Sequence, residues 1–191
     1  MKKIYSNINI IGGGLIGACA AYSLSKLNYK ITILEKNSKF NIKNHPDLRT
    51  VAISEGTKIF LNDIGLWKKI KPYAEPIKKI SVINRKLSEK IEFDNFRRLS
   101  SLGYIVKNKH LLNVLYKELN KLNNVKILNQ ADVINIENKK YLMTTNLKQC
   151  SIDSDLIVAA DGKFSYVRNL FKTPIYKKNY NKKAIVLTFT H

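Results

Sequence analysis

Apolar residues fall along this chain in two rhythms. Ile8-Asn9-Ile10-Ile11 and Ile31-Thr32-Ile33-Leu34 are short, nearly continuous runs, which suits strands packed on both sides. Between them, residues 15–27 are small and apolar, a helix whose small side chains face a sheet and which Asn28-Tyr29 ends. Residues 37–48 are polar, broken by His45-Pro46-Asp47, and read as a loop. Residues 49–54 lead into a helix over 55–64 with Ile59, Phe60 and Ile64 on one face, capped by Gly65-Leu66-Trp67. Pro72 and Pro76 mark a boundary, and residues 79–96 alternate loosely (Ile80, Val82, Ile83, then Ile91, Phe93) as strands of a separate sheet. Residues 99–106 enter a helix over 109–122, where Leu111, Leu112, Leu115, Leu119 and Leu122 recur at helical spacing. A short strand at 125–128 and a hairpin-like meander over 133–143, turning at Asn138-Lys139, follow. Leu156-Ile157-Val158-Ala159-Ala160 is a continuous apolar strand of the kind buried on both faces of a parallel sheet, and 184–190 read as a last strand. The pattern predicts an α/β fold, a Rossmann-like βαβ start with a partial second β-sheet.

The first turn carries the chemistry. Gly12 lets the chain leave the strand sharply, Gly14 leaves its backbone bare to an approaching diphosphate, and Gly17 lets the helix pack close on the sheet. The helix begins with backbone N–H groups and a positive dipole end facing the phosphates. Glu35 ends the second strand about 20 residues on, where a carboxylate accepts hydrogen bonds from the adenosine ribose. A tight turn without a ligand leaves Glu35 unexplained, so the stretch is a candidate dinucleotide site.

Composition narrows the class. A chain of 191 residues supports one good core and leaves little room for a second complete domain, and a mean hydropathy of −0.23 suits a globular protein. No stretch approaches the ~20 apolar residues of a membrane span, and the Met1-Lys2-Lys3 start runs directly into the first strand rather than a signal peptide. Cys19 and Cys150 are far apart and unaccompanied, which predicts reduced thiols in a cytoplasmic protein. The net charge is +20, yet only Arg49, Arg85, Arg97, Arg98 and Arg168 among the 34 basic residues are arginine. Scattered lysines mixed with Asn and Ile point to biased base composition of the gene rather than to a nucleic-acid groove, so no nucleic-acid partner is expected. A basic surface does favour anionic headgroups, which allows peripheral contact with the inner membrane. His45, His110 and His191 lack metal-ligand spacing, and no metal site is predicted.

Three landmarks stand in order: the glycine turn, Arg49-Thr50-Val51-Ala52-Ile53-Ser54 before a helix ending Ile64-Gly65-Leu66-Trp67, and Ala160-Asp161-Gly162 with Ser165 and Arg168. Together they resemble the flavin-dependent aromatic hydroxylases, and within them the ubiquinone-biosynthesis hydroxylases (UbiH type, acting on polyprenylated phenols). Leu102-Gly103-Tyr104-Ile105-Val106 with Asn108 and Leu111 looks like that family's entry into its long helix, although Lys107 and Lys109 depart from the acidic and arginine residues expected beside Asn108.

The resemblance implies FAD lying across the sheet. Gly12, Gly14 and Gly17 would hold the diphosphate, Glu35 the ribose, and Arg49 would lie near the flavin. Asp161 and Gly162 would serve both FAD and the NAD(P)H donor, and no catalytic side chain is assigned, because the cofactor carries the oxygen chemistry. Residues 1–75 and 101–172 would form the FAD-binding domain, and 76–100 with 173–191 part of a substrate sheet. The family pattern continues past residue 191 with a second flavin motif, so the resemblance implies a truncated N-terminal half that needs its C-terminal half or a complex partner for catalysis. The alternatives are a non-catalytic FAD- or nucleotide-binding remnant or assembly subunit, and an NAD-dependent dehydrogenase. Asp161-Gly162 and the inserted second sheet argue against the last.

Overall fold

The structure, a computed structural model, describes residues 2–38, 47–84, 89–94, 101–183 and 185. In chain order the elements begin β1 (Lys2–Ile11), α1 (Leu15–Ser25), β2 (Ile31–Glu35), β3 (Thr50–Ile53), α2 (Glu55–Asp63), α3 (Trp67–Ile70), a 3-10 turn (Lys71–Tyr73) and β4 (Ala74–Pro76). They continue with β5 (Ile80–Asn84), β6 (Glu89–Phe93), β7 (Tyr104–Lys107), α4 (Asn108–Leu119), β8 (Val125–Asn129), β9 (Val133–Asn138), β10 (Met143–Leu147), β11 (Cys150–Ala159) and α5 (Tyr166–Leu170). The chain divides into two compact units, one of residues 1–45 with 115–191 and one of residues 46–114.

The first unit is built on a six-stranded sheet in the order β8-β2-β1-β11-β10-β9. β1 is central, parallel to β2 (Ile8↔Ile31 through Ile11↔Leu34) and to β11 (Ile8↔Leu156 through Ile11↔Ala159). Ile8, Ile10 and Ile11 are all buried, and Asn9, also buried, donates its amide to the Thr145 hydroxyl at 2.8 Å. Gly17, Ala18 and Ala21 are the buried small residues of α1, as expected, while Cys19 is half-buried and burial raises its thiol pKa. A core of Ile11, Leu34, Ala131, Ile136, Leu147, Ile152 and Val167 joins the parallel strands to the β9–β10 hairpin and α5.

One expectation fails here. The run 156–160 is not buried on both faces: Leu156 is 52% exposed, and the buried part of β11 is Ile152–Ser154 upstream. β10 pairs with β11 only between Asn146↔Ser151 and Met143↔Ser154, so past Ser154 only β1 flanks β11 among the described residues.

The second unit holds the antiparallel sheet β3-β7-β4 and the two-stranded sheet β5-β6. In α2 the expected apolar face is only partly kept. Ile59 and Phe60 are exposed, Ile64 is half-buried and Leu61 is buried. Leu66 N–H bonds the Leu61 carbonyl and Gly65 N–H that of Asn62, at 2.8 and 2.9 Å, with Gly65 at φ +78°. This double bond pattern stops the helix and draws Leu66, Trp67 and Ile70 into burial. The strand expected over 184–190 falls outside the described residues, apart from Ile185.

Candidate functional site

The site starts where β1 stops. Gly12 takes φ +105°, and its N–H bonds the Leu34 carbonyl at 2.8 Å. Its own carbonyl then lies against α1, where a Cβ on Gly17 would overlap it. A Cβ on Gly12 would overlap the Ala160 carbonyl oxygen and stand 2.9 Å from the Asp161 nitrogen. Gly14 is different: nothing lies within 4 Å of where its Cβ would be. It is the N-cap of α1, with no side-chain cap and no acid in the helix's own first turn to occupy its positive end.

Glu35 lies in the same place. Its Oε2 accepts from Gly13 N–H at 2.8 Å, and its Oε1 accepts from both the backbone N–H and Nδ2 of Asn37, each at 2.8 Å. Tyr116, buried on α4, donates its hydroxyl to the Gly13 carbonyl at 2.8 Å. Burial, with the Glu35 charge adding to it, pushes the Tyr116 phenol up to about 12.

The third landmark folds back on the first. Ala160 N–H bonds the Ile11 carbonyl at 2.8 Å, which seats the 160–162 turn beside Gly12, and Gly162 takes φ +81°. Asp161 Oδ2 accepts the Val167 N–H at 3.1 Å, so the carboxylate is anchored to the start of α5. Ser165 caps that helix by accepting from Arg168 N–H at 3.0 Å, and the Arg168 guanidinium donates to the Lys163 carbonyl. These turns line one cleft of about 500 Å³ with Gly12, Gly14, Glu35, Asn37, Asp161 and Gly162 at its wall.

Arg49 belongs to the other unit. Its guanidinium pairs with Asp47, Nε and Nη2 each 2.8 Å from a carboxylate oxygen, and Asn108 Nδ2 donates to the same carboxylate at 3.0 Å. These partners hold the Asp47 carboxyl well below the usual carboxylate range. Within the first unit, then, five of the expected residues meet at one cleft, Gly17 supports it from α1, and Arg49 is an ion-paired surface residue of the second unit. Sequence reading missed Tyr116 and Asn37. Tyr116 sits one position beyond Leu115 in a leucine pattern that reads as core, and nothing in its spacing separates it from packing.

The arrangement suits a nucleotide diphosphate: an uncapped helix start, a bare glycine at the cleft wall and a carboxylate at the end of β2. Among curated proteins, the chain is 26% identical to the mitochondrial ubiquinone biosynthesis monooxygenase COQ6 of Dictyostelium discoideum, over 95% of this chain and 42% of that one. It is 25% identical to the ubiquinone hydroxylase UbiM of Neisseria meningitidis, over 99% and 43%, and 24% identical to the 3-demethoxyubiquinol 3-hydroxylase of Escherichia coli, over 96% and 48%. The chain thus spans less than half the length of these relatives. Among solved structures, p-nitrophenol 4-monooxygenase PnpA of Pseudomonas putida superposes with a TM-score of 0.76 at 24% identity, over 90% of this chain and 44% of that one. PqsL of Pseudomonas aeruginosa, described as a probable FAD-dependent monooxygenase, superposes at 0.78 with 16% identity, over 92% and 48%, and both likenesses show the fold. Residues 5–190 match the FAD binding domain family, and with nearly the whole sequence inside that match this chain belongs to it.

Proposed function

We propose that this chain is the FAD-binding portion of a flavin-dependent monooxygenase that hydroxylates an aromatic, polyprenylated phenol of the ubiquinone pathway, with NAD(P)H as reductant. One observation carries the reading: the 160–162 turn sits directly on Gly12, so the two glycine-bearing turns face one cleft. The relatives' chemistry supplies the substrate class.

When bound, the flavin would supply redox chemistry and oxygen activation. The chain's own residues bind and orient it. The first turn of α1 offers N–H donors to the diphosphate, and Gly14 leaves room for it. Asn37 takes both lone pairs of Glu35 Oε1, whereas Oε2 accepts only the Gly13 N–H and keeps one lone pair for a ribose hydroxyl. Asp161 and Gly162 close the other side. The assignment of Arg49 to the flavin, and of 1–75 with 101–172 to the cofactor and 76–100 with 173–191 to the substrate side, rests on the resemblance. A cytoplasmic location rests on the two separate cysteines, and peripheral contact at the inner membrane on the +20 charge.

Purified protein tests the reading. A yellow preparation that retains FAD and oxidises NADPH supports it, and a Gly14→Val variant is expected to lose the flavin because its side chain fills the space left for the diphosphate. A yellow but inert preparation assigns FAD binding without turnover. A colourless protein that binds NAD, or unchanged flavin content in Gly14→Val, overturns the reading.

A further inference from the structure

We infer that Tyr116 is a positioning residue for the cofactor's diphosphate: its hydroxyl fixes the peptide between Gly13 and Gly14 so that the Gly14 N–H faces the cleft. The inference rests on the proposed diphosphate site and adds a residue from α4, far along the chain, to its machinery.

The geometry follows from the planar trans peptide, in which C=O and N–H point in opposite directions. Tyr116 holds the Gly13 carbonyl at 2.8 Å on the buried side, so the next N–H, that of Gly14, points away from Tyr116, and Gly14 lines the cleft. The preceding peptide is held in the same manner. Glu35 takes the Gly13 N–H at 2.8 Å, and the Gly12 carbonyl on its opposite side lies against Gly17. Both peptides flanking Gly13 are therefore set before any ligand arrives. That spares the ligand the cost of ordering two peptides of a glycine-rich turn.

The same clamp explains a glycine that the fingerprint does not require. Position 13 is a free choice in G-x-G-x-x-G. Here a Cβ on Gly13 would overlap the Tyr116 hydroxyl and stand 2.8 Å from Glu35 Oε2. The carboxylate ends a flexible side chain and can swing aside, whereas the tyrosine ring is buried and cannot. Tyr116 and Gly13 are thus a matched pair. A phenol is protonated at neutral pH, and burial, with the Glu35 charge, moves this one further up, so the hydroxyl remains a donor.

The test uses the full chain and four proteins: wild type, Tyr116→Phe, Gly13→Ala and the double variant, with FAD and ADP affinities read by fluorescence quenching and competition. Circular dichroism of each apo-protein checks folding. Tyr116→Phe keeps the ring and removes only the hydroxyl, and is expected to weaken FAD and ADP by about fivefold to tenfold, the size of one net hydrogen bond. Gly13→Ala is expected to weaken both more, and the double variant to bind more tightly than Gly13→Ala alone. That reversal of sign is a signature general destabilisation does not produce. If wild type binds and Tyr116→Phe binds equally well, or the double variant is weaker than Gly13→Ala, the positioning role is wrong while the diphosphate site stands. If wild type binds neither FAD nor ADP, both fall.

Discussion

Asp47 shows how much one side chain can organise. Its carboxylate takes both Arg49 nitrogens and the amide of Asn108, tying the start of β3 to the start of α4. Only 15% of its side chain is exposed, against 70% for Arg49, so the carboxylate depends on these donors more than the arginine depends on it. Asp47→Asn is expected to cost about 1 kcal/mol at pH 7, the scale of a partly exposed pair with one hydrogen bond. The sign of its pH dependence is fixed by the depressed folded pKa. The unfolded carboxyl takes up its proton near pH 3.9 and the folded one only at lower pH, so the wild-type advantage is full above about pH 4 and shrinks as pH falls further. Urea titrations of both proteins at pH 7 and pH 3 measure it, and an advantage that grows in acid contradicts the assignment.

At the scale of the element, two glycines at helix ends do different jobs. Gly65 ends α2 at φ +78° with nothing within 4 Å of its Cβ position, so Gly65→Ala is expected to cost only the backbone penalty, about 1 kcal/mol. Gly17 lies in regular helix, but its Cβ would overlap the Gly12 carbonyl, and Gly17→Ala is expected to cost about 3 kcal/mol through overpacking against backbone. Equal losses in chemical denaturation would contradict the distinction. The βαβ start and the glycine turn were legible because Gly12, Gly14 and Glu35 reach their places within one supersecondary unit, whereas Asp161-Gly162 reads as an ordinary turn by itself and was singled out by the family resemblance. The burial of β11 and α2 was not legible. Leu156 reads as core, yet β10 stops at Met143 and leaves it uncovered, and the polar first half of β11, with Asp153 held by Lys3 and Thr144, hides strand structure behind charged letters. Tyr116 was illegible for the same reason: its role depends on a contact 103 residues away.

For the molecule as a whole, charge is the largest unbalanced quantity. A net +20 on 191 residues repels itself when compact and attracts anionic ligands and surfaces. Raising NaCl from about 50 mM to about 500 mM shortens the screening length several-fold and is expected to raise the thermal midpoint of the apo-protein. A midpoint that falls with salt would mean that its ion pairs, such as Lys3–Asp153 and Lys121–Glu118, outweigh the repulsion.

The pairing of β3 with β7 has a consequence for how such a chain can change. Thr50 lies opposite Lys107, and Asn108 N–H bonds the Arg49 carbonyl at 3.0 Å, so two points far apart in the sequence of the second unit are neighbours on one ladder. The stretch between those two points can be lengthened, shortened or exchanged by editing one continuous piece of genetic text while its ends stay paired. The glycine turn, Glu35 and the 160–162 turn are all encoded outside that stretch.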